Sequence, residues 1–389
     1  MDRLRIALVA HNRFPVRQPF AGGLESCVWH LARALARKGH DVSLYAAADS
    51  DLGTEGEYGQ IKVHAIGGSR RRTPLNAPFF DHRAYRTLMT DFIGEKASSY
   101  DVIHNHGLHY WPILLAPQLT TPMLTTLHTS PILWLKSAIR SSGGIGSKFI
   151  AVSRGSAELW RDSLPDVSVV YNGINREEWP VGHGGGGYLV WFGRITPQKA
   201  PHMAIAVAKQ VGMPLKIAGP IERRSYFHRA IRPHLGANIE YVGHLDQRQL
   251  GQLVGGAAVS LVTPTSAEPF GLTTIEALFC GTPVVGFAVP GVAETIAPPC
   301  GLLVPCGDVA AMAKTIQQAI ALDRDNVRAS AITRWSEDAM VDNYIRLYAQ
   351  LAGADRPSRI RYAITPSSIS PSMSSYLTTL CHTAVTWSN

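Results

Sequence analysis

The sequence predicts an α/β protein made of two doubly wound, Rossmann-like domains that face each other across a cleft. Three observations carry that expectation. Short apolar runs bounded by turn residues alternate with stretches of helical period, the pattern of a parallel sheet covered by helices on both faces. A glycine-rich break near Trp179 divides the alternation into two series. At 389 residues the chain is too long for one ordinary core, since about 150 residues per domain is usual.

The first series opens with the strand "RIALVA" (residues 5–10). A helix follows from near Gly23, with Leu24, Val28, Leu31 and Leu35 at helical spacing. Arg33, Arg37 and Lys38 suit its C-terminal dipole, and Gly39 stops it. Strands are expected at "DVSLYAA", "DVIHNH", "PMLTTLH", "KFIAVS" and "VSVVYNG". The segment "WPVGHGGGG" (179–187) then reads as a loose linker. The second series alternates "YLVWFGR", the helix "HMAIAVAKQVG", "PLKIAG", a helix from about Arg223, "IEYVG", a helix from about Asp246, and "AAVSLVTP". It continues through "EPFGLTTIEALFCG", "TPVVGF", "GLLVP" and the helix "DVAAMAKTIQQAIAL". The expected organisation is an N-terminal domain over 1–178, the linker over 179–187, and a C-terminal domain over 188–335. A last helix over 336–352 is expected to cross back to the first domain. The Ser/Thr/Pro-rich tail over 353–389 has no sustained period and is expected to be disordered.

Composition narrows the class. Hydrophobic residues make up 46% and charged residues 17%, the balance of a globular chain. No apolar run approaches the ~20 residues of a bilayer span. The apolar run before His11 is short for a secretory leader and suits a first strand. Cys27, Cys280, Cys300, Cys306 and Cys381 are scattered without a CxxC pair, which points to reduced thiols and a cytoplasmic location. The net charge of +8 sits mostly in the first half, with its sharpest run at Arg70, Arg71 and Arg72. That run suits either a solvated loop or peripheral contact with an anionic membrane. No nucleic-acid motif accompanies it, and nucleic acid is not an expected partner.

The residues that carry chemistry follow the strands, where doubly wound folds place their ligands. In "EPFGLTTIE", Glu268 and Glu276 flank Pro269 and Gly271. Were the segment all helix, the two acids would lie ~12 Å apart along the axis and ~80° apart around it. They could not grip one atom. Pro269 places Glu268 in a loop, with the helix starting around Gly271 to Thr273. The first-turn amides near Leu272, Thr273 and Thr274 would then favour a phosphate. Two bland or rival readings stay open here. Thr273 to Glu276 matches a T-x-x-E capping box, and two carboxyls ~5–9 Å apart also suit a glycosidase. In "WFGRITPQKA", Gly193 ends a strand, and Arg194 and Lys199 could clamp a diphosphate or be ordinary surface cations. Gly23 in "AGG" allows close backbone approach at a strand-to-helix join, but neither GxGxxG nor a Walker sequence is present. His104, His106 and His109 lack the acidic spacing of a metal ligand set, and His128 follows a strand, where it either faces the cleft or is an ordinary buried or capping histidine. The DSD at Asp49 to Asp51 is too short and common to assign a metal.

Together "AGGLE", "DVIHNHG", "TTLHTS", "FGRITPQKA", "YVGHL", "EPFGLTTIEALFCGTPVV", "PGVAE" and "GLLVPCGD" resemble, in order and spacing, the family 4 retaining glycosyltransferases of GT-B fold. The likeness covers roughly residues 3–352. The resemblance implies that Glu268 contacts the donor sugar and Glu276 the ribose, with Phe270, Gly271, Leu272 and Thr273 offering main-chain contacts. It implies a diphosphate clamp at Arg194 and Lys199, beside Gly193, a base-packing loop at Val242, a phosphate-side glycine at Gly23, and a sugar contact at His128. The implied reaction moves a sugar from a nucleoside diphosphate sugar to an acceptor hydroxyl of a glycan, glycolipid or small molecule. It retains configuration and uses neither a metal, a cofactor nor a protein nucleophile. A GT-B sugar-nucleotide epimerase and a non-catalytic sugar-nucleotide-binding protein are the alternatives. Pro197-Gln198-Lys199-Ala200 stands where the family often has P-E-K-G, so the loop geometry around the lysine is open to question.

Overall fold

A computed structural model describes residues 3–53, 61–67 and 77–353 of the chain. The Arg70–Arg72 run and the tail from 354 onward lie outside the described residues. Two parallel sheets dominate. The first contains β1 (Arg5–Val9), β2 (Asp41–Ala46), β3 (Lys62–Ala65), β4 (Val102–Asn105), β5 (Met123–Leu127), β6 (Ser147–Ala151) and β7 (Ser168–Val169). Its spatial order is β3-β2-β1-β4-β5-β6-β7. The second contains β8 (Leu189–Phe192), β9 (Leu215–Ala218), β10 (Ile239–Gly243), β11 (Val259–Val262), β12 (Val284–Phe287) and β13 (Gly301–Val304), ordered β10-β9-β8-β11-β12-β13.

The central strands are apolar on both faces because helices cover both sides. Ile6, Ala7 and Leu8 in β1 and Leu189 and Val190 in β8 are fully buried. By contrast β3 is a largely exposed edge strand, and among the described residues it pairs with β2 alone, through Ser43 to Ala46. In each sheet the winding reverses once. Ile6 pairs with both Val42 of β2 and Val102 of β4, while Leu189 pairs with Leu215 of β9 and Val259 of β11. At these reversals neighbouring loops leave in opposite directions and open a crevice at the carboxyl edge.

The last helix, Glu337–Gly353, is a sequence neighbour of the second domain but packs on the first. Met340, Tyr344 and Tyr348 join Ile6, Leu8, Leu31 and Leu35 in one apolar cluster. Ile174 fixes the crossing: its amide donates to Trp335 O (2.9 Å), and its carbonyl accepts from Glu337 N (3.0 Å). Arg37, at the end of the first helix (Gly23–Arg37), pairs with Glu337.

The segment over 179–187 departs from the loose linker expected of its glycines. Trp179 is buried in the second core. Gly182, Gly184 and Gly186 donate amides to Cys280, Gly255 and Gly256, at 3.0, 3.1 and 3.0 Å. A methyl group at Gly182 would overlap the Gly255 carbonyl. These glycines serve close backbone approach rather than freedom. Gly182→Ala is therefore expected to destabilise the protein by about 1–3 kcal/mol, the usual range for overpacking. Gly185→Ala, with open space around its new methyl, is expected to be neutral. Calorimetric melting of the two variants checks the contrast.

Candidate active site

The two carboxyl edges enclose a cleft of about 610 Å³. Its second-domain wall is built at the reversal between β8 and β11. Gly193 follows β8 with φ +143°, and the chain turns out past Gly219, where any side chain would strike the Gly193 carbonyl. Arg194 emerges there, with Nη1 2.9 Å from Glu222 Oε2. The loop returns through Thr196 to Lys199 and Ala200. Ala200 adopts the left-handed conformation (φ +48°, ψ +50°) as N-cap of the Pro201–Val211 helix. A non-glycine residue is strained there, at a cost of order 1 kcal/mol. Thr263 Oγ1, at the end of β11, holds the turn by bonding to Lys199 O (2.9 Å) and Ala200 O (3.1 Å). The departure from P-E-K-G is thus accommodated, and Lys199 still reaches the cleft.

Lys199 Nζ lies 2.6 Å from Glu268 Oε2. Glu268 is in the loop after β11, its amide donating to Pro290 O at 3.0 Å. Burial pushes the Glu276 carboxyl up to about 7, and the Lys199 charge partly offsets that rise. Lys199 thus pairs with Glu268, and its charge is also felt at Glu276, the other end of "EPFGLTTIE". The helix between them is Leu272–Phe279, capped by Gly271 at φ +91° with no side-chain cap bond. The N-cap falls two residues before Thr273, so the T-x-x-E box does not form, and Glu276 lines the cleft. The expected trio of open amides is reduced to two. Thr274 N donates to Gly271 O at 2.9 Å, which leaves Leu272 and Thr273 at the helix mouth. Phe270 is buried beneath them, its ring 6.1 Å from Tyr171.

The first-domain wall meets this one closely. Gly22, in extended backbone, precedes the Gly23–Arg37 helix, and a methyl on Gly23 would come within 2.6 Å of Leu272 Cδ1. The two glycine-flanked helix starts, one per domain, therefore face each other. Glu25 lies one turn in, only 4% exposed, and burial raises its carboxyl to about 7 against the pull of Arg194 and Arg13. His128, past the end of β5, bonds through Nε2 to His106 Nδ1 at 2.8 Å. Burial lowers His128 to about 4 and His106 well below its ordinary value, so both imidazoles are neutral near pH 7.

Gly23, His128, Gly193, Arg194, Lys199, Glu268, Phe270, Gly271, Leu272, Thr273 and Glu276 all line this one cleft. Val242 does not. The β9–β10 register slips between Tyr241 and Gly243, so Val242 packs against the second core, and His244 and Leu245 form the wall instead. His104 is a structural residue: its ring nitrogens bond Tyr348 (2.6 Å) and Thr126 (2.7 Å). Among the described residues no three His, Cys, Asp or Glu side chains are placed to share a metal ion. Among them, too, no helix is long and apolar enough to cross a membrane. Glu25 and Glu222 carry no functional signal in the sequence alone. Glu25 stood inside the quoted "AGGLE", but a lone helix glutamate carries no signal of burial. Glu222 becomes notable only when folding brings it beside Arg194.

Comparison with known proteins now bears on this arrangement. The family model Glycosyltransferase Family 4 matches residues 21–178, and Glycosyl transferases group 1 matches 176–335. The chain belongs to the family 4-type glycosyltransferases of GT-B fold. Among curated relatives, this glycosyltransferase is 27% identical to the glycogen synthase of Mycobacterium tuberculosis, over 75% of this chain and 80% of that one. It is 25% identical to the D-inositol 3-phosphate glycosyltransferase of Mycolicibacterium smegmatis, over 88% and 91%. Among solved structures, the sucrose-phosphate synthase of Thermosynechococcus elongatus superposes with TM-score 0.75 at 22% identity, over 91% and 100%. The Anabaena protein HepE in complex with UDP-glucose superposes with TM-score 0.70 at 19% identity, over 90% and 100%. Both structural likenesses support the GT-B fold.

Two outcomes follow from the glycosyltransferase's cleft. Gly23→Ala is expected to lower kcat/KM at least tenfold by pushing on Leu272, and Leu272→Ala in the same chain is expected to restore part of the loss; steady-state kinetics of the three variants checks it. The second concerns pH. The Glu276 carboxyl in the folded chain titrates near 7, above its ordinary value near 4.5. Its contribution to stability is full below about pH 4.5 and is lost as pH rises through 7. Glu276→Gln should therefore melt progressively higher relative to the parent as pH goes from 5 to 8. A pH-independent difference in ligand-free melting would contradict this.

Proposed function

We propose that the protein transfers a sugar from a nucleoside diphosphate sugar to an acceptor hydroxyl with retained anomeric configuration. The observation that carries the proposal is the Lys199–Glu268 pair in the cleft that the start of the Leu272 helix and Glu276 also line. A cation, two helix amides and two carboxylates then line one cleft, the kinds of group that a sugar nucleotide needs. In this reading Glu268 binds hydroxyls of the transferred sugar. Lys199, Arg194 and the Leu272 and Thr273 amides take the diphosphate, and Glu276 takes the ribose. His128 offers a neutral ring nitrogen to the sugar from the first-domain side. The HepE structure with UDP-glucose favours a UDP-sugar as the first donor to try. The acceptor is a hydroxyl of a glycan, glycolipid or small molecule.

The difficult moment in such a transfer is the departure of the diphosphate as the anomeric carbon becomes oxocarbenium-like. Fixed cations and amide dipoles lower that barrier because they need no reorganisation when charge develops. Lys199 and Arg194 already have anionic partners, Glu268 and Glu222. The arriving diphosphate exchanges those contacts for its own, which leaves Glu268 to turn to the sugar. The acceptor attacks the face the diphosphate leaves, and a diphosphate oxygen takes the acceptor proton. No covalent sugar–enzyme intermediate is needed. Two protein cations supply the counter-charge, and the proposal includes no metal. Apposition of the domains excludes water from the reacting centre.

Incubation with UDP-, GDP- and ADP-sugars and an acceptor panel tests the reaction, with proton NMR reading the anomeric configuration. Transfer or slow hydrolysis with retention supports the proposal. An epimerised sugar nucleotide, or binding without turnover, replaces it with an epimerase or a binding protein. Lys199→Ala and Glu268→Ala are each expected to lower turnover at least tenfold with unchanged circular dichroism, and unchanged kinetics in either removes that residue from the mechanism. Activity is expected to persist in excess chelator. Complete loss that Mg²⁺ or Mn²⁺ restores overturns the metal-free reading.

A further inference from the structure

We propose that Glu294, a second-domain residue outside the cleft wall, is a positioning residue for the donor site that acts across the domain boundary. The inference rests on the donor-site reading above. Glu294 lies in the turn of helix Val292–Thr295 after β12. Among the described residues its carboxylate bonds to no group of its own domain. It accepts from the backbone amides of Arg154, at 3.1 Å, and Gly155, and from Tyr171 OH at 3.0 Å, all first-domain groups.

Arg154 and Gly155 open the helix Arg154–Trp160, which has no acidic residue in its first turn. Its own N-cap, Ser153, accepts from Ser156 N at 2.9 Å. The first amides of a helix need acceptors and carry positive partial charge. Here the other domain supplies the anion. Gly155 makes the approach feasible, since a methyl there would lie 3.1 Å from both Glu294 Oε1 and Gly291 N.

The same first-domain turn holds the donor loop. Ser153 Oγ donates to Pro269 O at 2.6 Å, one residue from Glu268. The two second-domain loops also clasp each other. Glu268 N donates to Pro290 O at 3.0 Å, and Gly291 packs so closely on the Glu268 carbonyl that a side chain there would overlap it. The residues over 153–155 thus bridge the loop that carries Glu268 and the loop that carries Glu294. The donor loop therefore has inner supports from its own domain, at Pro290 and Gly291, and an outer support from Ser153 that exists only while both domains are in contact. If the domains part, Glu294 loses its helix terminus, and the donor loop loses its outer support. The Glu294 contact therefore makes the donor grip conditional on domain apposition, a coupling that requires a structural element with two arrangements.

Two variants approach this contact from opposite domains. Glu294→Gln replaces one acceptor oxygen with an amide that faces N–H donors. Gly155→Ala inserts a methyl into the same gap at a helical position that tolerates alanine. Hydrogen–deuterium exchange without substrate is measured over residues 266–272 in both variants. Exchange at least tenfold faster than in the parent is expected there, with the second-domain core strands unchanged. The kcat/KM for donor is expected to fall at least tenfold, and donor-induced thermal stabilisation is expected to shrink with it. Parent-like exchange over 266–272 in a folded variant overturns the inference, as does parent-like kcat/KM. If Glu294→Gln fails to fold, Gly155→Ala alone decides. A parent enzyme that neither binds nor turns over sugar nucleotides defeats the donor-site reading, while the exchange measurement still decides the coupling.

Discussion

The 2.6 Å contact between Lys199 and Glu268 is the interaction on which the donor side of the molecule is organised. A half-buried ammonium needs an anionic partner, because a charge removed from water without one is costly. That requirement fixes the end of β8 to the end of β11, two strands that are neighbours in space but separated by much of the domain in sequence. Burial raises the Glu276 carboxyl to about 7, and the Lys199 charge partly offsets that rise. The site is therefore a charge arrangement held short of full ionisation, ready to accept a dianion. Much of the surrounding structure serves this contact: the left-handed Ala200, the Thr263 bonds to the turn, and the glycine cap at 271.

The second constraint is close approach. Gly23 against Leu272, Gly291 against Glu268 and Gly182 against Gly255 are three places where one added methyl would meet another element. Two lie on the route between the domains and the donor loop. Gly23 lets the first domain come close to the donor helix, while Gly291 and Gly182 let backbone pack on backbone on the second-domain side. The final helix adds the complementary tie, with Tyr344 and Tyr348 buried in the first domain although they follow the second in the chain.

Much of this was legible from residue patterns, and the exceptions have physical causes. Strands such as "RIALVA" and "YLVWFGR" are buried on both faces and announce themselves as apolar runs. Edge strand β3 is largely exposed and gives no such signal. Pro269 and Gly271 correctly divided loop from helix, because proline and positive φ restrict the backbone locally. The capping box failed because its match at Thr273 ignored the earlier stop at Gly271. The glycines over 182–186 were misread because glycine means either freedom or close contact, and only the partner backbone distinguishes them. Val242 falls at a register shift that has no side-chain signature, and its neighbours His244 and Leu245 line the cleft in its place. Glu222, Glu294 and His106 were illegible for a common reason: each acquires its role from a partner distant in sequence.

The central claim is that the diphosphate replaces a carboxylate at Lys199. A crystal structure with a bound nucleoside diphosphate measures this most directly. The account predicts a phosphate oxygen within hydrogen-bond reach of Lys199 Nζ and of the Leu272 or Thr273 amide, ribose hydroxyls at Glu276, and Glu268 released toward the sugar position. A nucleotide bound elsewhere, or one bound in the cleft with the Lys199–Glu268 pair intact and no phosphate on the lysine, would contradict it.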